Sequence, residues 1–121
     1  MMTAKKIIQD FYKSDALINP AEMREFIHPD VLIEWNSSKG FIQMKYDDIL
    51  AFTTTMSKAY IRTKVRISHL LQDGNMVTVR YSHFAKTIEN PREEMLLAHF
   101  IVIFEIKDNK IYRGYQISQI S

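Results

Sequence analysis

Tyr81 and His83 have the greatest chemical reach in this chain, and they stand two apart in a stretch, Met76 to Glu89, whose apolar alternation predicts a strand. That spacing puts both side chains on one face. Burial disfavours the charged form of an imidazole, so His83 on a covered face would be a neutral base at pH 7, and Tyr81 beside it could donate a hydrogen bond to an oxygen gaining charge. The alternative for His83 is a core histidine satisfied by a single hydrogen bond. Tyr115 offers a second phenol, Trp35 and Phe100 offer aromatic surface for a ligand, and Arg113 either meets an anionic group or extends past the sheet end to solvent. His99 falls on the opposite face. A turn different by one residue would bring His83 and His99 opposite each other, but two histidines without a third ligand make a poor zinc site, so no metal is expected. Arg62, Lys64 and Arg66 share one strand face and read as a solvated basic stripe.

The wider composition narrows the function classes. Sixteen basic and 14 acidic residues leave a net charge of +2, too little for a global field that would draw nucleic acid or an anionic membrane. No nucleic-acid motif accompanies the basic stripe. The absence of cysteine removes disulfide and thiol chemistry. At 121 residues the chain fits one domain spanning 1–121, with one ordinary core. The N-terminal MMTAKKIIQDFYKSD lacks the apolar stretch of a signal peptide, and no segment is long enough to span a bilayer, so the expectation is a cytoplasmic protein.

The elements that must position these residues follow from periodicity. Ala4, Ile7, Ile8 and Phe11 mark one face of a helix from Thr3, its N-cap, to about residue 17. Asn19-Pro20-Ala21-Glu22 starts a second helix, with Met23, Phe26 and Ile27 inward, that ends at His28-Pro29. Val31 to Ser37 reads as a strand with Trp35 inward and Glu34 outward, and Asn36 to Lys45 as a loop around Gly40. Tyr46, Ile49, Leu50, Thr53 and Met56 form a third helical stripe, weakened by the β-branched run Thr53 to Thr55.

The second half is a meander of long strands. A three-residue loop at Asp73-Gly74-Asn75, with Asn75 left-handed, pairs His69 with Val79, Ile67 with Tyr81 and Val65 with His83. A type I turn at Pro91 pairs Tyr81 with Val102 and His83 with Phe100, and a two-residue turn at Asp108-Asn109 pairs Ile106 with Ile111 and Val102 with Tyr115. One face then carries His69, Tyr81, His83, Phe100, Arg113, Tyr115 and Ile117. In Met95 to Ile106 both parities are apolar, which implies two covered faces, whereas one helical layer covers only one. The other face, with Leu97, Ile101 and Ile103, is therefore expected to meet a second copy of the chain.

Helices followed by an antiparallel meander make an α+β domain, about three N-terminal helices on a curved sheet. The element order, Phe26-Ile-His-Pro-Asp30-Val31, Gly40 before the third helix, and Phe104-Glu-Ile-Lys-Asp-Asn-Lys-Ile111 resemble the nuclear transport factor 2-like superfamily, in its SnoaL-like and ketosteroid-isomerase-like branch. The resemblance implies a cone-shaped homodimer enclosing an apolar pocket, used for isomerisation, cyclisation, dehydration or simple binding. The base position of the ketosteroid isomerases falls here on Trp35, their first-helix tyrosine on Phe11, and residues 111–121 hold no late acid of the cyclase kind. The resulting expectation is a pocket for an apolar, carbonyl-bearing small molecule, without a cofactor. His83 and Tyr81 would be catalytic, and Trp35, Tyr115, Phe100 and Arg113 would contact the ligand. The rival is a non-catalytic ligand-binding or accessory dimer.

Overall fold

The computed structural model describes residues 3–120. In chain order they form α1 (Ala4–Lys13), a 3-10 turn (Ala16–Ile18), α2 (Pro20–Phe26), β1 (Ile27–Ser37), β2 (Gly40–Lys45), α3 (Tyr46–Ala59), β3 (Tyr60–Asp73), β4 (Met76–Thr87), β5 (Glu94–Lys107) and β6 (Lys110–Ile120). Thr3 caps α1 by accepting the Lys6 N–H at 3.1 Å. The helix stops at Lys13, short of the expected 17, because Ser14 turns its backbone N–H to Asp10 and Phe11 and its hydroxyl to the Phe11 carbonyl at 2.6 Å. Asn19 caps α2 through the Ala21 and Glu22 N–H groups. That helix gives way to β1 at Ile27, one residue before His28, whose place ahead of Pro29 disfavours helix. In α3 the Thr53, Thr54 and Thr55 hydroxyls donate to the carbonyls of Ile49, Leu50 and Ala51, which accommodates a β-branched run inside a helix. The segment expected as a loop from Asn36 to Lys45 instead holds β2, paired with β1 from Leu32↔Lys45 to Ser37↔Gly40.

Six strands make one sheet in the order β2-β1-β6-β5-β4-β3, antiparallel except for β1 with β6. The helices cover one face and bury a single cluster that includes Ile7, Ile8, Phe11, Met23, Val77, Val79, Val102 and Ile111. Among the described residues no helix is long and apolar enough to cross a membrane.

Bulges at Ser68, Leu97 and Tyr112 set the register around the cavity, and each alters the expected pairing differently. The β3–β4 turn has two residues rather than three, with Gly74, not Asn75, in the left-handed region at φ +61°. His69 therefore pairs with Arg80 and faces outward, and Leu70 takes the inner position opposite Val79. The extra residue is Ser68, whose hydroxyl donates to the Arg80 carbonyl at 3.1 Å and accepts from the Arg80 guanidinium at 2.9 Å. Past this bulge Ile67 meets Tyr81 and Val65 meets His83, as expected. On β4–β5 the connection is longer than a tight Pro91 turn, so His83 pairs with Ala98 and Tyr81 with Phe100. From Ala98 onward a shift of two keeps each β5 residue on its expected face. Leu97 forms the bulge and lines the inner cavity instead of the outer face, and ahead of it the parity is reversed, with Met95 opposite the inward Ala85.

The β5–β6 turn is the expected tight one, with Asp108 at φ 54° and Asn109 at φ 61°. Tyr112 then bulges, so Glu105 pairs with Arg113, Phe104 with Gly114 and Ile103 with Tyr115. One inserted residue reverses the rest of the strand. Gly114, Gln116 and Ser118 face inward, and Arg113, Tyr115 and Ile117 face outward, against expectation.

Candidate functional site

Between the helices and the concave sheet lies a cavity of about 390 Å³, at the lower end of ligand-pocket sizes. Its roof comes from Phe11, Tyr12, Leu17, Met23, Ile49, Phe52 and Met56, and its floor from Trp35, Tyr81, His83, Ala98, Phe100 and Ser118. Phe100 organises the floor. Tyr81 stacks on it at 4.9 Å between centroids and 9° between planes, and the Trp35 and His83 rings stand 6.2 and 6.1 Å away. Trp35 is fixed by its indole N–H, which donates to the Ser118 hydroxyl at 2.8 Å, and by an edge contact with Phe52 at 5.6 Å.

His83 is 6% exposed, and its Nε2 has no hydrogen-bond partner among the described residues. Burial lowers its pKa to about 4, so the ring is neutral at pH 7. A neutral imidazole with a free nitrogen in a largely apolar cavity can accept or donate one hydrogen bond, depending on tautomer. Tyr81 lies two residues back on the same strand face, roughly 7 Å along β4. Its ring packs on that of Tyr12 at 4.6 Å. Burial raises both phenol pKa values, and the neighbouring Tyr81 raises that of Tyr12 further. Both therefore remain protonated donors. No Asp or Glu lines the cavity among the described residues, and none of them form a group of three or more potential metal ligands.

Tyr81, His83, Phe100 and Trp35 thus come together, whereas Tyr115 and Arg113 do not join them. Tyr115 is 42% exposed on the outer face. Arg113 serves as a clamp there. It donates to the carbonyls of Asp30 at 2.8 Å and Tyr112 at 2.9 Å, with its guanidinium 3.9 Å over the Tyr112 ring. His99 stands 2.9 Å from the Ser82 hydroxyl on the outer face, so it and His83 point opposite ways. Sequence reasoning overlooked Tyr12, although Ile8, Phe11 and Tyr12 follow the i, i+3, i+4 pattern of one helical face. It also missed Gln116 and Ser118, whose inward positions depend on the Tyr112 bulge and carry no mark in the sequence.

Solved structures with the same architecture include IdmH from Streptomyces antibioticus, a candidate polyketide cyclase, with 15% identity over 97% of this chain and 92% of that one and a TM-score of 0.75. Candidate SnoaL-like polyketide cyclases from Jannaschia sp. CCS1 and Shewanella denitrificans OS-217 are also similar. The first has 10% identity, 95% and 84% coverage and a TM-score of 0.71; the second has 8%, 95% and 89%, and 0.74. At such identities these likenesses establish the fold alone. No curated protein matches the chain. The SnoaL-like domain family matches residues 8–114, from within α1 to within β6, and the chain belongs to that family.

Proposed function

We propose that the protein binds an apolar, carbonyl-bearing small molecule in this cavity and catalyses a cofactor-independent proton transfer on it, of the kind that isomerisation or cyclisation requires. The observation that supports this most is the unpartnered, buried Nε2 of His83 on the cavity floor. In the proposed step a carbon next to the ligand carbonyl gives its proton to His83. The electron pair moves to the carbonyl oxygen, which accepts hydrogen bonds from Tyr81 and Tyr12, and the imidazolium returns the proton to another carbon. A histidine that resists charging in a dry site does not keep the proton, which suits transfer without net release. A cyclic β,γ-unsaturated ketone such as cyclohex-3-enone, incubated in deuterated water, tests this by NMR. Wild type should speed conjugation with the transferred position still carrying protium, and His83→Gln should lose roughly 10²- to 10⁴-fold of that rate with the fold intact. An unchanged rate in the variant removes His83 as the base. The absence of a carboxylate in the lining favours a second reading, a binding domain without turnover, in which the ketone binds wild type but is not converted.

The outer sheet face supports a homodimer. Ile101, Ile103, Tyr115 and Ile117 stand on paired positions of β5 and β6, each at least 40% exposed, and Phe41 on β2 continues the patch. An apolar surface of this kind in the middle of a sheet is suited to burial against its own copy. Leu97, expected in this interface, is not part of it.

A further inference from the structure

The cavity lining excludes charge with one exception. Among the described residues that line it, Lys39 is the single charged side chain. It sits in the turn between β1 and β2, where the Lys39 N–H donates to the Ser37 hydroxyl at 3.1 Å and that hydroxyl reaches the Gly40 carbonyl at 3.4 Å. Gly40 at φ +117° lets the chain reverse there. A locally fixed turn thus places Lys39 in the lining of an otherwise uncharged chamber. On the far wall is His83, more than nine-tenths buried, with its Nε2 unpartnered. His83, Ala98 and Ile120 occupy one rung across β4, β5 and β6, and Lys39 lies beyond the end of β1, the next strand over. Three strand spacings separate the two polar ends, roughly 14 Å, and the floor between them is mainly apolar, with the Ser118 hydroxyl taken up by Trp35.

Resting on the pocket reading above, we infer that the ligand is an apolar monocarboxylate carrying a second oxygen at its far end, with its carboxylate at Lys39 and that oxygen, the carbonyl of the reading above, at the end of the cavity that His83 shares with Tyr81 and Tyr12. The carboxylate stays near water at the rim, where an ammonium attracts it without a full desolvation cost. The far oxygen meets the polar groups at that end, where the buried His83 Nε2 has no partner of its own. A neutral ligand of the same shape would forgo the first interaction, and a cationic one would be repelled.

The chain has one tryptophan, and it lies in the cavity, so Trp35 fluorescence reports binding. The probes are 10-hydroxydecanoate, its methyl ester, and decanoate. Wild type should bind 10-hydroxydecanoate at least about tenfold more tightly than the ester, an advantage that shrinks with added salt. Lys39→Gln, on an exposed turn, should erase the preference, and Lys39→Arg should keep it. Decanoate should bind less tightly than 10-hydroxydecanoate to wild type, and equally well to His83→Leu. Equal affinity for acid and ester, or a preference that survives Lys39→Gln, overturns the inference while the pocket reading stands. No response of Trp35 to any of the three probes overturns both.

Discussion

Ser82 and His83 are consecutive on β4, and across the ladder from them stand His99 and Ala98. Strand alternation sends His83 beneath the helices and leaves His99 on the open face, where Ser82 and solvent hydrate it. The two imidazoles share a sheet and lack a carboxylate partner, and the pKa of His83 is lowered by desolvation. The inner face makes a side chain unusual by excluding water, not by supplying charge. Both faces are apolar in composition. They differ in what covers them.

That contrast predicts different costs for neighbouring residues. Phe100→Ala removes the ring that Tyr81, Trp35 and His83 surround, and should destabilise the fold by about 3 to 4 kcal/mol in urea unfolding. Ile101→Ala, one residue on, should change monomer stability by no more than about 0.5 kcal/mol, because its side chain already meets water within one protomer. Equal costs would mean that the faces are not distinct. Ile101→Glu probes the outer face against its copy. If that face is the dimer interface, sedimentation should show affinity falling at least about 100-fold, or about 2.7 kcal/mol, with the monomer still folded. A dimer unaffected by the change uses another surface, and a wild-type monomer at micromolar concentration ends the proposal.

The inner histidine makes stability depend on pH. The folded pKa of His83, about 4, lies below the unfolded value near 6.5, so the unfolded chain takes up a proton first as pH falls. Stability associated with neutral His83 is therefore complete above about pH 6.5 and is lost as pH falls toward 4. Between pH 6.5 and 5, before most carboxylates titrate, the loss should reach about 2 kcal/mol. His83→Leu should flatten this slope in urea titrations at a series of pH values.

The helices, the strand order of the meander and the facing of β4 were legible because apolar periodicity and turn chemistry agree there. Ile67 opposite Tyr81 and Val65 opposite His83 hold even though the turn was misread, because Ser68 bulges and restores the parity. β6 was misread for the opposite reason. Register can be read from a sequence only where one face is apolar and the other polar. On β6 the outward Tyr115 and Ile117 are more apolar than the inward Gln116 and Ser118, so the pattern pointed to the wrong face. The same ambiguity placed Arg113 and Tyr115 in the pocket and kept Ser118 out of it. Bulges at Leu97 and Tyr112 are single inserted residues without a compositional mark, and only pairing in three dimensions reveals them.

The flipped β6 register can itself be tested at Gly114, where the effect should be smallest but its sign decides the matter. If Gly114 faced the open side, alanine would relieve the entropy cost of a glycine in a strand and stabilise the fold slightly. It faces inward, opposite Phe104, and a Cβ built there lies 2.5 Å from Ile33 Cδ1, with the nearest Phe104 ring carbons at 3.6 Å. Gly114→Ala should therefore cost about 1 kcal/mol, a modest value for overpacking because the obstructing atom is a side-chain end beside the cavity and can swing into it. Ile33→Val deletes that same methyl, so the double variant Gly114→Ala/Ile33→Val should be more stable than the sum of the single effects by about 0.5 kcal/mol or more. Strict additivity, or a stabilising Gly114→Ala, would put Gln116 and Ser118 back outside. It would leave Trp35 without its hydrogen-bond partner and the floor of the cavity differently composed.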